Sequence, residues 1–126
     1  MGSMSRNHSR IDRELTRELT WACEQAKSEI SGFEWLTHQA DYSRLPYRLA
    51  VTWIFDSDVN RLAASVGVTN ALIQDLTVAA IQQAGIARSD IRLTVALDSE
   101  QRCATQHGGD WAARLNARAR SGGKHG

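Results

Sequence analysis

Seven side chains near the ends of the expected strands have types suited to proton transfer or metal binding: His38, Asp41, Asp56, Asp98, Glu100, His107 and Asp110. Carboxylates and imidazoles brought together by folding can act as general acids, bases or metal ligands. Cys103 and His107 stand four residues apart, a helical spacing that offers half of a zinc site. No second pair lies nearby in sequence, and Cys23 and His38 would have to arrive by folding. Asp56 and Asp98 are also ordinary strand-terminating or capping residues. His107-Gly-Gly-Asp110 places two glycines before a helix start, an arrangement able to hinge or to receive a small anion. The chain carries no glycine-rich phosphate loop with its lysine, no nucleophile elbow and no paired-histidine zinc motif. No catalytic residue, metal ligand or cofactor site is therefore assigned.

A second constellation is LAASVGVTNALIQDL at 62–76, which has helix-turn-helix spacing. Ala63 stands four residues before Gly67, and Ile73 and Leu76 follow where they would anchor a second helix. In that reading Thr69, Asn70 and Gln74 are the candidate DNA contacts, since Asn and Gln can make paired contacts with adenine. Charge opposes it: residues 57–85 hold Arg61 against Asp58 and Asp75, and duplex affinity comes largely from phosphate neutralisation. Two helices turning at a glycine and packed on a sheet are the preferred reading.

A third group is aromatic and polar. Trp35, His38, Asp41, Tyr42, Arg44 and Tyr47, in the stretch WLTHQADYSRLPY, together with His107, Asp110 and Trp111, form the candidate binding surface.

The elements that would position these groups follow from periodicity. Ile11, Leu15, Leu19, Ala22, Ala26 and Ile30 recur every three or four residues, the stripe of an amphipathic helix with Gly32 as its stop. Phe33–Asp41 alternates roughly and is expected to be a strand, as is RLAVTWIF at 48–55. Both faces of the latter are largely apolar, so it should be central and covered on both sides. Helices are expected at 58–65 and 69–85, the latter capped by Thr69, ended by Gly85 and deeply buried. A third strand spans Ile91 to Leu97, and Asp110 caps a last helix. The order αββααβα predicts an α+β domain: a small, mostly antiparallel three-stranded sheet covered by helices.

The chain has 126 residues, 42% hydrophobic and 23% charged, ordinary values for one globular domain with a real core. Met1-Gly-Ser-Met4 resembles a cloning remnant; residues 1–10 and 118–126 are expected to be flexible, with the domain at 11–117. The formal charge of +1 is uneven: residues 1–13 carry +2, 110–126 carry +3 and 14–109 carry −4. An acidic body is a poor nucleic-acid surface. Two cysteines, no signal-like start and no apolar run near ~20 residues imply a cytoplasmic protein with reduced thiols and no membrane span.

GFEWLTHQADYSRLP, VTWIFDS and DSEQRCATQHGGDWAARL, in that order, resemble a family of small bacterial proteins of uncharacterised function. The resemblance covers about 11–116 and rests on Phe33, Trp35 to His38, Asp41-Tyr42, Phe55-Asp56, Asp98-Ser-Glu100, Cys103 and His107 to Trp111. Some members carry the label of Fis-type transcriptional regulators, although here the carboxyl end lacks the basic helix-turn-helix of that type. The resemblance implies a cytosolic bacterial domain and supplies no catalytic residue. The expected function is a non-enzymatic binding module for a protein or small ligand, with homodimerisation through exposed aromatics. A DNA-binding regulator is the alternative, and a small enzyme or metal-binding protein the second.

Overall fold

The computed structural model describes the backbone of residues 2–125 and the side chains of 8–118. Helix α1 (Gly2–Lys27) is followed by β1 (Phe33–Asp41), β2 (Tyr47–Phe55), α2 (Asp58–Ala64), α3 (Gly67–Gln83), β3 (Ile91–Ser99), α4 (Glu100–His107) and α5 (Trp111–His125). The α+β class and the three strands are as expected. The segment after β3 adds a helix, α4, before the terminal one. The ends expected to be flexible fall largely outside the described side chains; along the described backbone α1 begins at Gly2 and α5 extends to His125.

The sheet order is β1-β2-β3. A short connection makes β1 and β2 an antiparallel hairpin, whereas β3 lies parallel to β2. A parallel neighbour requires a crossover, and α2 and α3 supply it. These two helices meet at 81°.

Strand β2 is central, as its apolar faces require. On one face Leu49, Val51, Trp53 and Phe55 are buried with Leu15, Leu19, Ala22 and Ala26 of α1 and Ile73, Ala80 and Ile81 of α3. Trp53 donates its indole N–H to Thr77 Oγ at 3.1 Å, and Thr77 donates in turn to the Ile73 carbonyl, so this buried polar pair is satisfied. Helix α3 thus docks on the sheet, as its apolar composition implied. It starts at Gly67 with Val66 as its cap residue, three residues earlier than the expected Thr69 cap.

On the other face Ile54 and Thr52 are buried under α5, which the Arg114–Asp98 pair and a 3.5 Å bond from Gln39 to the Leu115 carbonyl hold on the sheet. A bulge between Phe33 and Trp35 decides which residues of β1 serve which face. Phe33 pairs with Phe55, but Trp35 pairs with Ile54. Residues two apart, which would share a face in a regular strand, therefore point to opposite layers. Phe33 packs at a tilt against Trp53 at 4.9 Å in the main core, and Trp35 meets Trp111 at 5.3 Å beneath α5.

Gly32, in the loop after α1, has φ +75°, and its carbonyl accepts from Asp56 N–H at 2.9 Å. A Cβ there would collide with the Asn60 amide and the Asp56 carboxylate. Gly32→Ala should therefore cost about 2 kcal/mol or more, the left-handed penalty plus the collision. Gly85→Ala, at φ +83° with open space around it, should cost only the first part. Urea unfolding of the two variants checks this, and equal losses would disprove the collision.

Candidate functional site

The aromatic and polar stretch expected to form one recognition surface is divided by the pleat of β1. On the α1 side, His38 Nε2 lies 2.9 Å from Asp12 Oδ1, and Tyr42 donates its hydroxyl to the same oxygen at 2.7 Å. Tyr47 packs edge-on against Tyr42 at 5.4 Å, and His8 joins both rings. Burial raises the Asp12 pKa, but the hydrogen bonds from His38 and Tyr42 outweigh it and hold the carboxyl below its ordinary range. The Tyr42 hydroxyl is pushed upward, first by burial and then by its bond to Asp12. A phenol so held does not ionise near neutrality.

On the α5 side, Glu100 bridges two indoles: Trp35 donates to Oε2 at 2.8 Å and Trp111 to Oε1 at 2.7 Å. Asp98 is completely buried and receives a paired contact from Arg114, Nε to Oδ2 at 2.6 Å and Nη2 to Oδ1 at 3.0 Å. Arg118 adds Nη2 to Oδ2 at 2.8 Å. The remaining Arg114 nitrogen reaches Gln106 Oε1 at 2.7 Å and His107 Nδ1 at 3.1 Å. Burial pushes the Asp98 pKa up, yet the Arg114 and Ser99 hydrogen bonds and the charges of Arg114 and Arg118 leave it below the ordinary carboxylate value.

These two clusters account for Trp35, His38, Tyr42, Tyr47, His107 and Trp111, all partly buried and internally engaged. Asp41 and Arg44 are exposed at the β1–β2 turn, where Asp41 accepts the Ser43 N–H at 2.9 Å. Asp110 caps α5 by accepting from Ala113 N–H at 3.0 Å. The structure thus divides the nine residues between the two faces of β1, the β1–β2 turn and the start of α5. Cys103 is fully buried and burial raises its thiol pKa, while His107 faces Arg114. Among the described residues no three His, Cys, Asp or Glu side chains converge as a metal site would need.

The α2–α3 corner differs from expectation in which residues it exposes. Thr69, Asn70 and Gln74 are all partly buried, while Val68, Ala71 and Asp75 are exposed on α3. Arg61 is bound to Asp58 within its own helix, Nε to Oδ1 at 2.6 Å and Nη2 to Oδ2 at 3.2 Å. Among the described residues five large apolar side chains are exposed, and four of them stand here: Val59 at 76%, Leu62 at 53%, Val66 at 66% and Val68 at 87%. Contiguous exposed apolar side chains are unusual on a monomer and mark contact surfaces. The spacing of Val59 and Leu62 on one helix, followed by valines at both ends of the turn, was visible in the sequence. Its exposure was not, because the same residues would serve equally well as core.

Among the described residues no helix is by itself long and apolar enough to cross a membrane. No known protein family, curated protein or solved structure significantly matches the chain.

Proposed function

We propose that the chain is a non-enzymatic protein-interaction module, docking an uncharged, apolar partner surface through the α2–α3 corner. The exposure of Val59, Leu62, Val66 and Val68, with no ionisable residue from 62 through 74, carries this reading. An apolar surface without charge favours a partner of the same character, because any ionic group brought against it would be desolvated without a counter-charge. The acids and histidines that suggested catalysis support it indirectly. Asp98 and Glu100 are engaged with arginines and indoles, and His38 with Asp12, bonds that hold helices to the sheet.

The DNA-binding alternative has less support. Its three contact residues are partly buried and the one arginine of the corner is neutralised by Asp58. A cytosolic bacterial setting, and membership of the bacterial family that the sequence resembles, belong to the same proposal.

The test is photo-crosslinking in the producing cell with a benzophenone amino acid at position 68. An adduct at 68 that disappears when Leu62→Glu is added, and is missing with the probe at exposed Asp90, is the expected result. Equal or absent labelling at 68 and 90 would overturn the docking surface.

A further inference from the structure

We propose that the open cavity between the start of α2 and the exposed face of α4 binds the phosphate group of a small polar molecule. Asp58, Arg61, Gln101, Arg102, Thr105 and Gln106 line it, around a volume of about 520 Å³. The two glutamines show which atoms the cavity lacks. Gln101 Oε1 accepts the Asp58 N–H at 2.8 Å, and Gln106 Oε1 accepts from Arg114 Nη1 at 2.7 Å. A backbone N–H and a guanidinium can only donate, so both amides are fixed with the oxygen turned to the protein. Each keeps its NH2 group for another partner. Arg61 engages Asp58 through Nε and Nη2, at 2.6 and 3.2 Å, and keeps Nη1. The Arg102 guanidinium makes no hydrogen bond among the described residues, and its Nε stands 4.0 Å from Asp58 Oδ1. Four side chains thus hold N–H donors in reserve, while both oxygens of the one lining carboxylate are taken by Arg61. The ligand that satisfies them is rich in acceptor oxygens. Phosphate meets this need better than a carboxylate, which brings only two oxygens to four donating side chains.

The local charge agrees. Arg61 and Arg102 address the single carboxylate of Asp58, and behind Gln106 the buried Asp98 is shared by Arg114 and Arg118. The neighbouring acids have other partners: Glu100 accepts from two indoles, Asp56 from the Asn60 amide and Asp110 from Ala113 N–H. The rest of the −4 on residues 14–109 is spread over the domain, and physiological salt screens it beyond about 8 Å. All six lining side chains are polar, so an apolar ligand body would desolvate them without return. A sugar or polyol phosphate fits. The cavity is distinct from the exposed valines of the corner and needs no docked partner.

The test is titration of the full chain with inorganic phosphate, glycerol 3-phosphate and acetate at constant ionic strength, followed by nuclear magnetic resonance of the arginine Nε–H and glutamine NH2 groups. Saturable shifts at Arg61, Gln101, Arg102 and Gln106 are expected with both phosphates, in the millimolar range because the cavity is open to water. Acetate should bind several-fold more weakly. Arg102→Gln should weaken phosphate binding at least tenfold with unchanged melting, since its guanidinium has no internal hydrogen bond to lose. Asp58→Asn removes the carboxylate that competes for both arginines and should tighten binding several-fold, an opposite sign that loss of structure could not give. Arg17→Gln, whose side chain is 72% exposed on α1, should leave it unchanged. Shifts that do not saturate, equal binding of acetate, or indifference to Arg102→Gln would overturn the site. Glycerol 3-phosphate binding more weakly than inorganic phosphate would overturn the phosphorylated molecule in favour of the free ion.

Discussion

Asp98→Ala is expected to lower the unfolding free energy by about 3–5 kcal/mol, because it leaves the Arg114 guanidinium without its counter-charge. The Arg114 side chain is 6% exposed and that of Asp98 1%, so water cannot replace the lost partner. For a chain of this size that loss lowers the melting temperature by roughly 10–20 °C. Removing both partners should be far gentler: Asp98→Leu with Arg114→Met is expected to recover most of the stability, since a buried ion pair contributes little net over apolar groups of similar shape. Recovery by the double variant also keeps the test informative if the single variant does not fold. Urea unfolding of the set checks this, and a single-variant loss under about 1 kcal/mol would mean that the pair does not anchor α5.

The pH dependence has a defined sign. The pKa of Asp98 is lower in the folded chain than its ordinary 3.8. The unfolded chain therefore takes up a proton first as acid is added. Stability from this group is fully present well above pH 3.8 and is lost as pH falls through its depressed folded value. Asp98→Asn, which cannot ionise, should lack that part of the acid limb. An unchanged acid limb in the asparagine variant would assign it to other carboxyls.

The second large effect belongs to the main core. Trp53→Ala should destabilise by about 3–5 kcal/mol, the range for emptying a large aromatic site. Trp53 is completely buried, packed against Phe33 at 4.9 Å and bonded to Thr77. It is also where α3 is tied to the central strand, so the cavity would open between crossover and sheet. Trp53→Phe keeps a ring in place and removes the indole N–H. Its cost should be about 1–2 kcal/mol, because Thr77 still donates to the Ile73 carbonyl. With total stabilities of about 5–15 kcal/mol for native proteins, the alanine variant would be marginal. Guanidinium unfolding checks this series, and an alanine loss below about 2 kcal/mol would show that the sheet and α3 pack independently of Trp53.

Much of this architecture could be read directly. The stripe from Ile11 to Ile30 places α1 on the core, and Leu15, Leu19, Ala22 and Ala26 are buried there. RLAVTWIF has apolar residues on both faces, which only a central, doubly covered strand can accommodate, and β2 is that strand. The apolar composition of α3 required burial and received it at Ile73, Thr77, Ala80 and Ile81. The candidate site was less legible. Arg114 and Arg118 registered only as positive charge near the carboxyl end, although their spacing of four puts both on one face of a helix. Nothing local pairs them with Asp98, sixteen and twenty residues away.

Periodicity and residue type thus determined every element but α4, most of the buried faces and the acidic body, because each depends on near neighbours and on the cost of exposing apolar surface. Tertiary structure alone decided four things: the direction of β3, the bulge that parts Phe33 from Trp35, the closure of Asp98 by α5, and the exposure of Val59, Leu62, Val66 and Val68. The reason is common to all four. An apolar or charged side chain has the same local signature whether its partner lies across a sheet, on another helix or on another molecule, and only the packed chain shows which partner is present.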